Sequence, residues 1–110
     1  MPQLVCNGRV VGPLEIATSM DARSRGLLGR DGIDGAMLLR PAATAHTFRM
    51  RFDLDVAFCD RDLVVLRTVT MRRNRLAWPQ RRGRAVLEAE AGAFARWGLR
   101  PGTRLEITYG

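Results

Sequence analysis

The chain of 110 residues is 46% hydrophobic, so it is long enough to bury a core and is predicted to form one domain over residues 1–110. Its net charge of +7 comes from 18 arginines without any lysine, a bias that resembles the composition of a high-GC genome and weakens any argument from charge to a specific partner. No segment approaches the roughly 18 apolar residues that span a bilayer, and the N-terminus lacks the features of a signal peptide, so a cytoplasmic protein without membrane contact is expected.

The first half of the chain is predicted to contain a hairpin, a helix and a short strand. Residues 4–16 are strand-like around Asn7-Gly8, which suits the two central residues of a tight turn. Thr18 fits the first position of a capping box, so a helix is predicted from about Ser19 to Leu28. The apolar run at residues 36–39 then indicates a buried strand.

The second half is predicted to be richer in strands. Residues 54–58 and 63–71 are two β-rich runs with a short polar connection, which favours a hairpin. The polar stretch 72–84 is interrupted by proline and glycine and indicates a loop. Three further elements are predicted: a strand at 85–90, about one helical turn at 93–97, and a strand at 103–109.

The segment from His46 to Asp60 is the most informative, because strand-like alternation there places polar groups on apolar faces. If the chain is extended at its start, His46 shares a face with Phe48 and Met50. Asp55 is the only charged group on a strand that is apolar on both sides, so its carboxylate must find partners or stay protonated. A short reversal between the two strands would bring His46 and Asp55 together.

Two interpretations of this pair are open. In the first, the edge formed by His46, Thr47, Arg49 and Asp55 binds a small ligand or a protein segment. In the second, His46 and Asp55 form a buried hydrogen-bonded pair that fixes the crossing of two strands, which is the commoner role of buried polar groups.

Metal, cofactor and nucleophile sites find little support in the sequence. The single histidine is too few for a zinc site, and no cofactor or catalytic residue is predicted. Cys6 and Cys59 lie on separate strand-like segments, so each is expected to be a small buried hydrophobe, with a disulfide between them left open.

Glu88 and Glu90 are predicted to share one face of a strand, about 6 to 7 Å apart from the strand rise. This spacing is close to that of the paired carboxylates of glycosidases, so a carbohydrate-active enzyme is one hypothesis. The more ordinary interpretation is a solvated strand face that meets nearby arginines.

The predicted loop 72–84 holds six arginines around one tryptophan. Phosphate contacts together with base stacking on the tryptophan would suit single-stranded nucleic acid. Clusters of arginine are also expected by chance in so arginine-rich a chain. The residues of this alternative site are Arg72, Arg73, Arg75, Trp78, Arg81 and Arg82.

Several motifs occur in a recognisable order. They are Thr18-x-x-Asp21-x-Arg23-x-x-Gly26-Leu27-Leu28-Gly29-Arg30, His46-Thr47-Phe48-x-Met50-x-Phe52-x-Leu54-Asp55-Val56-Ala57-Phe58, Val86-Leu87-Glu88 with Ala91-Gly92, and Trp97-Gly98-Leu99-x-Pro101-Gly102. In order and spacing they resemble the domain of unknown function 192 family over about residues 14–108.

The resemblance implies an α+β, mostly β fold: a small, partly closed antiparallel sheet or barrel with one or two short helices, and no established catalytic activity. This chain differs from the family in two features. Members often carry an acidic residue where this chain has Thr103. Many members are exported, whereas no signal peptide is expected here. The leading hypothesis is therefore a non-enzymatic domain that binds a small molecule or a protein segment at the edge of His46 and Asp55.

Overall fold

A computed structural model describes residues 1–110 and contains seven strands and two short helices, which confirms the mostly β fold. Neither helix is long and apolar enough to cross a membrane. The elements in chain order are β1 Gln3–Cys6, β2 Arg9–Ala17, α1 Met20–Arg25, β3 Ala36–Leu39, β4 Leu54–Cys59, β5 Val65–Met71, β6 Ala85–Glu90, α2 Ala93–Trp97 and β7 Leu105–Thr108.

The strands form one curled sheet in the order β5-β4-β6-β3-β2-β1-β7. The two ends of the sheet approach each other where the Val65 amide donates to the Thr103 carbonyl at 2.8 Å and the Leu105 amide donates to the Leu63 carbonyl at 2.9 Å. The sheet is therefore a partly closed barrel. One neighbouring pair, β2 and β3, is parallel, because the connection through α1 is long enough to return the chain to the same end of the sheet.

The local elements mostly agree with the sequence predictions, and α1 is the main exception. Both predicted hairpins form, and Asn7 and Gly8 adopt the positive φ angles, 54° and 77°, that a tight hairpin turn requires. The helix is shorter than predicted and is capped by Ser19 rather than Thr18. It ends at Gly26, whose φ of 47° is accessible mainly to glycine.

Buried side chains cover both faces of the sheet. The inner cluster of 17 residues is closed by Phe94 and Trp97 of α2. The outer cluster of 11 residues lies beneath the chain that follows α1 and β3, from which Leu27, Ala45 and Met50 contribute. All of β4 and residues 85–89 of β6 are consequently buried, because each strand has a neighbour on both sides and a cluster on both faces.

The two cysteines lie in the inner cluster and are not joined by a disulfide. Burial raises the pKa of the Cys6 thiol to about 11 and that of the Cys59 thiol to about 12. Both therefore stay protonated at neutral pH and pack as small hydrophobes, as the sequence predicts.

The prediction that residues 46–50 form an extended strand with His46 on its apolar face is wrong. His46 is exposed and Thr47 is completely buried. The segment forms one isolated β-bridge, from His46 to Leu76, and no strand. The chain leaves the extended conformation at Arg49, whose φ is 62°, so the alternation of faces does not continue to Met50.

Asp55 does find the partners that its position demands. Its Oδ1 accepts a hydrogen bond from the Thr70 hydroxyl on β5 at 2.7 Å. Its Oδ2 accepts from the Gly92 and Phe94 amides at 2.9 and 3.1 Å. One carboxylate thus joins β4 to β5 and caps the start of α2, where Gly92 has no side chain to do so.

Replacing Asp55 should therefore destabilise the whole fold. Asp55→Ala leaves two main-chain amides and a hydroxyl without their acceptor, so we expect the free energy of unfolding to fall by about 2–4 kcal/mol in a denaturant titration. Asp62→Ala, at an exposed carboxylate in the turn between β4 and β5, serves as the control and should change stability by less than about 0.5 kcal/mol. Equal effects of the two substitutions would contradict the capping role.

Candidate functional site

A small cavity of about 60 Å³ lies where the C-terminal end of α1, the loop after β3 and the centre of β6 meet. Its walls are partly apolar, with Leu27, Leu39, Ala45 and Met50 from the outer cluster. The remaining lining residues are Arg23, Ser24, Arg25, Gly26, Leu28, Thr44, His46 and Glu88.

Glu88 is the buried carboxyl group of this cavity. It lies in the middle of β6, between Met37 of β3 and Val56 of β4, and only 6% of the residue is exposed. Burial raises the pKa of its carboxyl to about 7. No side chain forms an ion pair with this carboxyl. Its unpartnered oxygens are not fully enclosed by protein, so they face the cavity.

Gly26 provides the space beside this carboxylate. A Cβ atom at position 26 would lie 3.3 Å from Glu88 Oε1 and 4.0 Å from the Arg23 carbonyl oxygen. The glycine therefore lets the main chain at the end of α1 approach Glu88 closely. The end of the helix and the closeness of this approach both depend on the missing side chain.

His46 lies at the cavity with its ring exposed to solvent. Its Nδ1 accepts a hydrogen bond from the Phe48 amide at 3.3 Å, and the two rings stack with centroids 5.3 Å apart. Since Nδ1 acts as the acceptor, the proton of the neutral ring is on Nε2. His46 can therefore donate one hydrogen bond from Nε2.

The four residues of the predicted His46–Asp55 edge do not form one surface. His46 lines the Glu88 cavity, whereas Asp55 lies against α2 and its oxygens are already bonded there. Thr47 is buried, and its hydroxyl donates to the Arg72 carbonyl at 2.5 Å and accepts from the Arg75 amide at 2.9 Å. The predicted hydrogen-bonded pair of His46 and Asp55 is thus not formed.

Arg49 and Thr47 both form hydrogen bonds with the arginine loop, residues 72–84. The Arg49 amide donates to Asn74 Oδ1 at 3.0 Å, and the Asn74 amide donates to the Thr47 carbonyl at 2.8 Å. These bonds hold the start of residues 72–84 against the segment after β3. The hydrogen-bonding groups of Thr47 and the Arg49 main chain therefore stabilise a loop, while the Arg49 side chain is exposed.

Glu88 and Glu90 have different surroundings despite their alternation on one strand. Glu90 is exposed and accepts a hydrogen bond from the Ile33 amide at 3.0 Å. It is not part of the cavity that Glu88 lines. The structure does not bring the two carboxylates to the same cavity, and the prediction of a solvated face is wrong for Glu88.

The arginine loop is exposed along most of its length. Trp78 is 82% exposed, although its carbonyl is held by Arg67, which donates at 2.7 Å and lies over the Phe58 ring. Among the loop arginines, Arg73 forms an exposed ion pair with Asp53, at 3.8 Å. All six residues of the predicted nucleic-acid site are exposed, namely Arg72, Arg73, Arg75, Trp78, Arg81 and Arg82.

Comparison with known proteins gives a family and a fold. The model of DUF192, described as an uncharacterized ACR family, matches residues 4–107. A protein of unknown function from Novosphingobium aromaticivorans superposes with a TM-score of 0.79 at 22% identity, covering 96% of this chain and 82% of that chain. A Sinorhizobium meliloti protein, described provisionally as a transcription regulator, gives 0.80 at 22% identity and covers 96% and 91%. No curated protein is significantly similar in sequence.

The raised pKa of Glu88 predicts a pH-dependent loss of stability. In the unfolded chain this carboxyl loses its proton near 4.5, whereas the folded chain keeps the proton up to about pH 7. Because the folded state then binds the extra proton, the free energy of unfolding falls as the pH rises between these values. Glu88→Gln removes this effect, so the variant should gain about 3 kcal/mol relative to the wild type between about pH 4 and about pH 8.

Urea titrations at several pH values measure this difference. Glu90→Gln is the matched control, because it makes the same chemical change two residues along the strand at an exposed site. Parallel pH profiles for the wild type and Glu88→Gln would contradict the buried, unpartnered state of Glu88.

Proposed function

From the premise that this chain belongs to the DUF192 family of uncharacterized proteins, we propose that it is a non-enzymatic domain that binds a small ligand. The binding site is the cavity between α1, His46 and β6. One observation carries the proposal: Glu88 is only 6% exposed, and its carboxyl oxygens face the cavity without a hydrogen bond from the protein. A largely desolvated polar group that faces a cavity without a protein partner is where a ligand gains most by supplying one.

The chemistry around the cavity favours binding over nucleophilic catalysis. A histidine that activates a serine or threonine holds its Nδ1 proton toward a carboxylate. His46 Nδ1 instead accepts a hydrogen bond from the Phe48 amide, so it cannot donate to a carboxylate while this bond is kept. Both cysteines lie in the inner cluster with raised pKa values and do not line the cavity.

A fragment screen by NMR tests this proposal. We expect compounds of a few non-hydrogen atoms to shift the amide signals of residues 24–28, 44–50 and 88, with dissociation constants of about 0.1 to 10 mM, since so small a contact limits affinity. Ala45→Leu fills the cavity from its wall and should abolish these shifts.

Ala95→Leu is the matched control, because Ala95 is an exposed residue of α2 outside this cavity. It should leave fragment binding unchanged. A chemically broad library that perturbs no cavity residue, or binding that persists in Ala45→Leu, would refute the proposal.

A second candidate function is the binding of single-stranded nucleic acid by the arginine loop. The observation that favours it is Trp78, which is 82% exposed between exposed arginines and so is open to stacking by a base. The Sinorhizobium meliloti protein of the same fold is described provisionally as a transcription regulator, at 22% identity. That likeness extends to the fold alone.

Salt dependence tests this second candidate. Replacing Arg72, Arg73, Arg81 and Arg82 by glutamine should remove about four phosphate contacts and reduce the slope of log K against log salt by about 3. Trp78→Ala should weaken binding to all sequences alike. The control makes the same change in charge at exposed arginines elsewhere, namely Arg9, Arg96, Arg100 and Arg104. Equal losses in the two quadruple variants would indicate a nonspecific charge effect instead of a loop site.

A further inference from the structure

Two buried carboxylates on neighbouring strands have opposite environments. Asp55 on β4 receives three hydrogen bonds from the protein. Glu88 on β6 is similarly buried, with 6% exposure against 4%, but receives none. Since the chain contains 18 arginines, the lack of a cationic partner at Glu88 reflects the local arrangement and not a shortage of positive charge.

The arginines near the cavity do not neutralise Glu88. The Arg23 guanidinium donates to the carbonyls of Thr18 and Pro41, at 3.3 and 3.0 Å, which directs it away from the carboxylate. Arg25 is exposed at the end of α1. Neither arginine forms an ion pair with Glu88, and burial raises the pKa of its carboxyl.

The polar atoms nearest to the space at Gly26 are both hydrogen-bond acceptors. Glu88 Oε1 lies 3.3 Å, and the Arg23 carbonyl oxygen 4.0 Å, from the point that a Cβ atom at position 26 would occupy. A ligand group that satisfies them must be a donor. An ammonium group carries three donors and no acceptor, and its positive charge complements the carboxylate.

The dimensions of the cavity restrict the rest of the ligand. A volume of about 60 Å³ corresponds to roughly two water molecules at their share of liquid volume, which is the space needed for an ammonium group and one methylene. Leu39, which lies 3.9 Å from the same point, and Leu27 and Met50 provide apolar contacts for the methylene. Any longer part of the ligand must extend toward the exposed side of the lining, which includes Ser24, Thr44 and His46.

We propose that the ligand of this cavity is a primary alkylammonium ion, bound through its NH₃⁺ group to Glu88. This inference rests on the proposed function and names the chemical class of its ligand. The carboxylate forms charge-assisted hydrogen bonds with the ammonium, and the apolar wall contacts the adjacent methylene.

The affinity for an amine should depend on the protonation of Glu88. Its carboxyl must lose its proton before it can pair with the ammonium, so binding strengthens as the pH rises through about 7. The titratable groups that line the cavity are Arg23, Arg25 and His46. Met37 and Val56, its neighbours on β3 and β4, carry no charge, and Glu90 on β6 is held by the Ile33 amide.

The experiment is an NMR titration of the full chain with propylammonium chloride, and with 1-propanol as an uncharged probe with the same number of non-hydrogen atoms. We expect propylammonium to shift the signals of residues 24–28, 44–50 and 88 at millimolar concentration. Binding should be about tenfold weaker at pH 6 than at pH 8, because the ionised fraction of a carboxyl with a pKa of about 7 changes by that factor. The net charge of +7 disfavours nonspecific adsorption of a cation.

Two variants with the same chemical change complete the design. Glu88→Gln should lose propylammonium binding together with its pH dependence, whereas Glu90→Gln should retain both. If 1-propanol or other neutral fragments bind in the cavity and propylammonium does not, the inference of an amine falls while the proposed function stands. If no probe or fragment reaches the cavity residues, both fall. Propylammonium binding that Glu88→Gln leaves intact also overturns the inference.

Discussion

The covering of the central strands on both faces is the constraint on which the rest of this structure depends. Residues 85–89 of β6 and all of β4 are buried, because the inner cluster fills one face of the curled sheet and the outer cluster the other. A carboxylate on such a strand loses its hydration whichever way it points. Its effect on the fold is then determined by the donors that the neighbouring elements supply.

Asp55 and Glu88 show the two possible outcomes. Asp55 opposes Ala89 of the inner cluster and meets the start of α2, whose amides supply donors. Glu88 opposes Val56 of the outer cluster and faces the end of α1, where helix ends offer carbonyl oxygens instead of amides. One carboxylate therefore contributes to stability, and the other opposes it unless a ligand donates to it.

The outer cluster depends on the long irregular segment between β3 and β4. The contacts of this segment explain which predictions failed. The hairpins and α2 were predictable because turn residues and hydrophobic alternation act over a few residues. Residues 46–50 are instead held by bonds to Arg72, Asn74 and Arg75, more than twenty residues away. Contacts at that separation override local alternation, so His46 turned outward and Thr47 inward.

The sequence also contained a pattern that indicates burial of Glu88. It stands within an otherwise apolar run from Ala85 to Ala89, which is the same pattern that marked Asp55. The alternation with Glu90 favoured the interpretation of a half-solvated strand. Only the position of the chain after α1 and β3, folded over that face, distinguishes a buried Glu88 from an exposed Glu90.

The sequence by itself determined the family, the order of the strands along the chain and the need of Asp55 for partners, because motif spacing, turn chemistry and hydrophobic pattern are all local properties. The tertiary structure alone decided which groups meet: Asp55 with α2, His46 with the Glu88 cavity, and Thr47 with the arginine loop. These contacts depend on how the loops cover the faces of the sheet. Local propensity carries no information about that covering, since it follows from contacts between distant segments.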